Sequence, residues 1–150
     1  MGYLFGKVTP HQQRTFLDPV VNGDQGICFA ITEEGAGSDA GAVQTYAERD
    51  GDRYVFNGAK RFISGAPYAD TAIVVASTDL EAGARGLSAF FVDLHAPGAS
   101  VHVDYETLLG GHGTADLRFE NVRVPAASLG ARRGPHRLMP DKGRLASPSP

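Results

Sequence analysis

Ile27-Cys28-Phe29-Ala30-Ile31, followed at once by Thr32-Glu33-Glu34-Gly35-Ala36-Gly37-Ser38-Asp39, is the stretch on which the reading of this chain turns. Apolar residues of β-forming character run into a loop of small residues that carries two glycines, two hydroxyls and three carboxylates. Glycine lets a backbone approach a ligand, and exposed N–H groups beside Ser or Thr hydroxyls can hold phosphate oxygens. The carboxylates oppose a bare phosphate site unless they point away from it. A strand that delivers a ligand-facing loop is the starting expectation.

Downstream of that stretch, strand signals follow one another closely. Residues 44–49 and 53–56 flank Asp50-Gly51-Asp52, where Asp-Gly marks a hairpin. Asn57-Gly58 is expected to turn the chain again before a strand over 60–64. The apolar, β-branched run 71–76 predicts a strand buried on both faces, and 80–86 a flexible connection to a strand over 87–94. Leu117, Phe119, Val122 and Val124 alternate with polar residues, with a phase slip near Asn121 that fits a bulge. Closely spaced strands with turns between them indicate a barrel or sandwich, not a βαβ fold.

Upstream, Thr9-Pro10-His11-Gln12 has the form of a helix start: Thr9 can cap, Pro10 suits the first turn, and Gln12 can complete a capping box. Phe16 and Leu17 give that helix an apolar face, and Pro19 is expected to end it. Residues 1–26 are expected to be the remnant of a helical region, and 27–130 the barrel or sandwich. Residues 131–150 hold five of the 14 Lys and Arg and one of the 17 acids, with four prolines. Such a segment buries too little to offset its ordering entropy, so a basic, disordered tail is expected.

The chain as a whole has 150 residues, a net charge of −3, no Trp and one cysteine, Cys28. One domain of ordinary globular composition follows, with no electrostatic case for nucleic acid. No apolar run approaches the roughly 18–20 residues of a membrane span. The N-terminus lacks a signal-peptide pattern, and a cytoplasmic location is expected. His11, His95, His102, His112 and His136 are scattered, so no metal site is expected. Cys28 lies inside an apolar strand, and Ser38 lacks the glycine setting of a nucleophile elbow. Adjacent Glu33 and Glu34 would point apart on an extended backbone, which disfavours them as an acid–base pair. A Rossmann site is disfavoured because no third glycine and no helix follow Gly35-Ala36-Gly37.

Four landmarks in order resemble the acyl-CoA dehydrogenase family. Phe29 to Asp39 resembles its first signature, with Glu34 where proline is usual. Asn57-Gly58-Ala59-Lys60-Arg61-Phe62-Ile63-Ser64-Gly65 resembles the second, with Phe62 where tryptophan is usual. Gly86-Leu87-Ser88-Ala89-Phe90-Phe91-Val92 with Pro97-Gly98, then Phe119-Glu120-Asn121-Val122-Arg123-Val124-Pro125, supply the other two. Leu109-Gly110-Gly111-His112-Gly113-Thr114 departs from the usual segment there, which is longer and carries an arginine.

The resemblance implies that residues 27–130 are the family's middle-domain β-barrel, so the expected fold is mainly β, with the short N-terminal helix and disordered C-terminal tail read above. It implies FAD as cofactor and α,β-desaturation of an acyl-CoA, with hydride transfer to the flavin. Phe29, Ala30, Ile31, Thr32, Gly37, Ser38, Phe62, Ile63 and Ser64 are the implied cofactor-binding residues, with Ser38 also near the acyl-CoA thioester arm. Phe62 would pack against the flavin ring, and Ser64 would face flavin N5. No catalytic base is nominated here, since the resemblance implies a carboxylate in a C-terminal helical domain. An electron-transfer flavoprotein or another acceptor, and a homo-oligomer, are the implied partners. The alternative is a truncated, non-catalytic β-barrel that binds flavin, acyl-CoA or a protein partner.

Overall fold

The structure, a computed structural model, describes residues 8–105 and 113–132. The expected tail beyond Arg132 and the departing segment at 109–112 fall outside those residues. Strands β1 Ile27–Ala30, β2 Tyr46–Asp50, β3 Arg53–Ser64, β4 Thr71–Ser77, β5 Leu87–Asp93, β6 Ala99–Tyr105, β7 Thr114–Pro125 and β8 Leu129–Arg132 make one sheet. Its order is β6-β7-β3-β2-β4-β5-β8, with β1 added parallel to β4.

The expected closed barrel is corrected: this sheet is open. Closure requires the two end strands to pair with each other. Here β6 pairs with β7 and β8 pairs with β5, and among the described residues the two ends of the order do not pair. The β6 register also slips between Val101 and Asp104, a feature that blunts an edge against further pairing. The middle is also thin, since β2 and β4 share a single parallel pair, Tyr46 with Ser77.

One face of the sheet carries the main core, where Phe56, Phe90 and Phe119 meet edge to face under Val74, Val92, Leu117 and Val122. β4 is buried along its whole length, as its unbroken apolar run predicts. Its second face is covered from two sides. Leu17 and Phe16 of the N-terminal helical segment cover Ile73 and Phe91, with the Phe16 and Phe91 rings stacked at 4.7 Å. Ala36 and Val43 of the loop cover Val75 and Leu87. Full burial of Leu17 contributes about 1.5–3 kcal/mol.

The helical segment has the expected capping box: Thr9 N–H donates to Gln12 Oε1 at 3.0 Å, and Gln12 N–H to Thr9 Oγ1 at 3.2 Å. Gln12 is also the clamp to the sheet, its Nε2 donating to the carbonyls of Ala127 and Leu129 at 2.7 and 2.9 Å. Pro19 does not end the segment. A π-helical turn over Gln13–Leu17 leads into a short α-helix, Asp18–Val21, where proline occupies the first turn and needs no N–H partner.

Asn57-Gly58 does not turn either, because β3 runs through it from Arg53 to Ser64. Its polar groups are used across the strands: Asn121 N–H donates to Asn57 Oδ1 at 2.9 Å. That contact sits at the bulge expected near Asn121, where β7 gains one residue against β3 and Asn121 takes φ 54°. Gly58 has φ 142°, and a Cβ there would lie 2.7 Å from Thr45 Cα. Gly58→Ala is therefore expected to lower the stability of the chain by about 1–3 kcal/mol in urea unfolding. At Gly35 a Cβ would meet nothing, so Gly35→Ala should stay within about 0.5 kcal/mol of the parent.

Candidate functional site

The loop that follows β1 is fastened by one of its own acids. Glu33 turns inward and receives Lys60 Nζ–H at 2.7 Å, Gln44 N–H at 2.7 Å and Thr45 N–H at 3.0 Å. Lys60 also donates to the Ile31 carbonyl at 3.2 Å. The two side chains are 0% and 9% exposed, Lys60 and Glu33 respectively. Burial acts to raise the Glu33 carboxyl pKa, but the hydrogen bonds from Lys60, Thr45 and Gln44 outweigh it and hold it below the usual glutamate value. Burial pushes Lys60 down, with Glu33 pulling it back up. The carboxylate is the better satisfied partner, with three donors around it.

The other two acids are accounted for as well. Asp39 accepts from Gly41 N–H at 3.0 Å and starts the next turn. Glu34 is exposed and lies 3.2 Å from Arg61 Nη1, a solvent-screened pair that contributes little. None of the three is left facing a ligand without a partner of its own. The objection that the loop is too acidic for an anionic ligand is thereby reduced.

The residues of the two motif stretches meet at one place. Arg61 N–H donates to the Thr32 carbonyl at 2.8 Å, joining the loop to β3 directly beside the Lys60 contact. Phe62 and Ser64, two residues apart on β3, are both exposed. Phe29, on the outward side of β1, is 56% exposed, and Phe62 is 55% exposed. Large aromatics so open to solvent are what a stacking or packing partner would cover. Ala30 and Ile63 point into the core, so only their backbones are available to a ligand. Ile31 is half-buried against Ala36 and Val75. Gly37 and Ser38 lie beyond the Glu33–Ala36 bridge and are exposed, and no hydrogen bond among the described residues ties them to Phe62 or Ser64.

Two further features fit a large planar ligand with an anionic arm. The hydroxyls of Thr32, Ser38 and Ser64 have no hydrogen-bond partner among the described residues and remain available as donors. Neither Gly35 nor Gly37 has a positive φ, and a Cβ on either would meet open space. The fold itself does not require glycine there, whereas close approach of a ligand to the loop backbone would. These residues fit a flavin nucleotide. A cavity of about 350 Å³ lies between the loop and β2–β3, lined by Glu34, Gly35, Tyr46, Asn57 and Arg61 among others, but none of Phe29, Phe62 and Ser64 lines it. Among the described residues no group of His, Cys, Asp and Glu could hold a metal, and no helix is long and apolar enough to cross a membrane.

Phe62 adopts φ 56°, an unusual conformation for a bulky side chain that costs about 1–3 kcal/mol. It sits at a second bulge, where Arg61 and Phe62 together oppose one residue of β7 between the pairs Lys60–Leu117 and Ile63–Ala115. Sequence reasoning did not anticipate this bulge or the buried Glu33–Lys60 pair. The available signal for the pair was a lysine in the inward phase of an apolar strand.

Removing one partner of such a pair leaves an uncompensated buried charge. Lys60→Met is expected to cost about 3–5 kcal/mol of unfolding free energy. Because the Glu33 pKa is depressed on folding, its contribution is complete above the ordinary glutamate value and is lost as pH falls through the lowered one. The gap in urea midpoint between the parent and Glu33→Gln should therefore be widest near neutrality and narrow below about pH 4.

Comparison with known proteins places this geometry in a family. The acyl-CoA dehydrogenase middle domain matches residues 28–122. A 3-(aryl)acrylate reductase of Clostridium sporogenes is 44% identical over 122 residues, covering 81% of this chain and 32% of that protein. The CarC subunit of a caffeyl-CoA reductase–Etf complex from Acetobacterium woodii is 44% identical over 125 residues, covering 83% of this chain and 33% of that one. Among solved structures, butyryl-CoA dehydrogenase from Megasphaera elsdenii superposes with a TM-score of 0.84 at 33% identity, over 89% of this chain and 35% of that one. The chain thus spans about a third of the length of the curated relatives it matches. It belongs to the acyl-CoA dehydrogenase family, a family of oxidoreductases, and carries that family's middle domain.

Proposed function

We propose that this chain forms one wall of a combined FAD and acyl-CoA site, in a protein that oxidises or reduces the α,β bond of an acyl thioester. The observation that carries this reading is the Arg61 N–H bond to the Thr32 carbonyl at 2.8 Å, which makes one surface of two stretches distant in sequence. FAD, when bound, supplies a two-electron carrier for the hydride exchanged at the acyl β-carbon. Phe29 and Phe62 exclude water from the ring and fix its plane. Thr32 and Ser64 would offer hydroxyl donors to a bound flavin, Ser64 to N5, where a donor would favour negative charge on the ring. Gly37 admits the anionic arm of the cofactor, and Ser38 stands toward the thioester arm of the substrate. Ala30, Ile31 and Ile63 contribute backbone groups.

Residues 1–26 and 131–150 are read as flanks of this middle domain, the first derived from a helical region. The base that removes the α-proton is assigned to no residue here, since Glu33, Glu34 and Asp39 are all engaged. The names of two relatives describe reductases and that of a solved structure a dehydrogenase, which supports a reading in either direction. The Etf complex in one of those names supports an electron-transfer flavoprotein as redox partner. A binding domain without turnover is the second reading, favoured by the three acids of the loop, each engaged in a contact of its own.

The test is retention of a flavin spectrum after FAD is added and free cofactor removed, followed by addition of a saturated short-chain acyl-CoA. A bound yellow species is expected. Bleaching would support turnover, binding without bleaching would favour the second reading, and failure to retain FAD would contradict both flavin roles. Gly37→Val should weaken FAD binding about tenfold, near 1.4 kcal/mol, with an unchanged urea midpoint.

A further inference from the structure

The strained residue at the centre of the candidate wall is held by Asp116, Tyr105 and the Arg61 side chain. Phe62 N–H donates to Asp116 Oδ1 at 3.1 Å. The other oxygen of that carboxylate accepts from Tyr105 Oη at 3.4 Å and lies 3.4 Å from Arg61 Nε. Arg61 Nη2 donates to Tyr105 Oη at 3.3 Å, which closes a ring of three side chains. Two of the three also touch the Phe62 ring: the Tyr105 ring centroid is 5.1 Å from its centroid, and Arg61 Cζ lies over it at 5.0 Å from the centroid.

The strand register explains why Asp116 can do this. β7 lies between β3 and β6, and both neighbours carry an extra residue opposite position 116. On the β3 side the extra residue falls at Arg61–Phe62, between the pairs Lys60–Leu117 and Ile63–Ala115. On the β6 side it falls between the pairs Val101–Leu117 and Asp104–Ala115. Ladder pairing is interrupted on both sides of Asp116, so a side-chain acceptor takes up the displaced N–H of the bulge. A bulky residue persists at positive φ only where its surroundings over-determine it.

We propose that Asp116 is a positioning residue for the candidate site: by accepting the Phe62 N–H, and supported by Arg61 and Tyr105, it locks Phe62 in its left-handed conformation and holds the ring out as a fixed surface. The ring is more than half exposed, so core packing alone does not hold it. The purpose of the lock rests on the reading of Phe62 as part of the flavin wall. The lock itself rests only on the contacts named.

The chain contains no Trp, so Phe62→Trp makes a single-tryptophan reporter at the position in question. In that background, Asp116→Ala is expected to lower the fluorescence anisotropy and raise the acrylamide quenching constant roughly twofold, as the ring leaves one wall and is reached from both faces. Asp116→Asn keeps a carbonyl acceptor for the residue 62 N–H and should stay near the reporter parent. Should Asp116→Ala fail to fold, Asp116→Val, which suits a strand and also lacks an acceptor, takes its place. Equal quenching in the parent and the acceptor-less variant would overturn the proposal, and so would an Asn variant as loose as Ala. Adding FAD separates the two layers. Quenching of the reporter by FAD, weakened in Asp116→Ala, supports both. No FAD quenching, with the Ala and Asn variants still apart, keeps the lock and overturns the place of Phe62 on the flavin wall.

Discussion

The contact on which the rest of this surface depends is the 2.7 Å bond between Lys60 and Glu33. A buried ion pair seldom adds much net stability, because desolvating two charges offsets most of their attraction. Its value here is geometric. Glu33 also takes the N–H groups of Gln44 and Thr45, and Lys60 also reaches the Ile31 carbonyl, so a single pair fixes both ends of the loop relative to β3. With the ends fixed, the Thr32 carbonyl meets Arg61 N–H, and Ala36 and Val43 come down over the second face of β4. Loop, strand and outer core are therefore set by the same interaction.

A second constraint acts from the other side of β3. The bulge at Arg61–Phe62 breaks the strand's period immediately after Lys60. Without it, Lys60 facing inward would place Phe62 inward too, since strand side chains alternate. The extra residue allows Lys60 and Ile63 to be buried while Phe62 and Ser64 between and beyond them are exposed. The strained φ of Phe62 is thus the local cost of presenting an aromatic and a hydroxyl together on a strand that also supplies a buried lysine.

Much of this was legible in the sequence, and what was not has a physical reason. The capping box at Thr9, the Asp50-Gly51 hairpin, the doubly buried β4 and the bulge at Asn121 all rest on local chemistry, and each is present. Asn57-Gly58 misled because its turn signal is real locally but is overridden by Asn121 and by the close approach of Thr45. Pro19 misled because a π-turn before it restarted the helix. Barrel closure misled because it depends on whether two distant edges pair, and a slipped β6 register does not announce that in sequence. The two motifs that hold the site residues are local patterns, whereas the Glu33–Lys60 pair that joins them is a contact between residues far apart in sequence, which no local pattern encodes.

Amide hydrogen exchange in the Lys60→Met variant tests the central claim most directly. If the pair holds the loop to β3, the amides of Thr45 and Arg61 should exchange slowly in the parent, at rates like those of β4. They should then lose protection in the variant while β4 and β5 amides keep theirs. Protection at Thr45 and Arg61 that survives Lys60→Met, or that falls only together with the whole sheet, would contradict it.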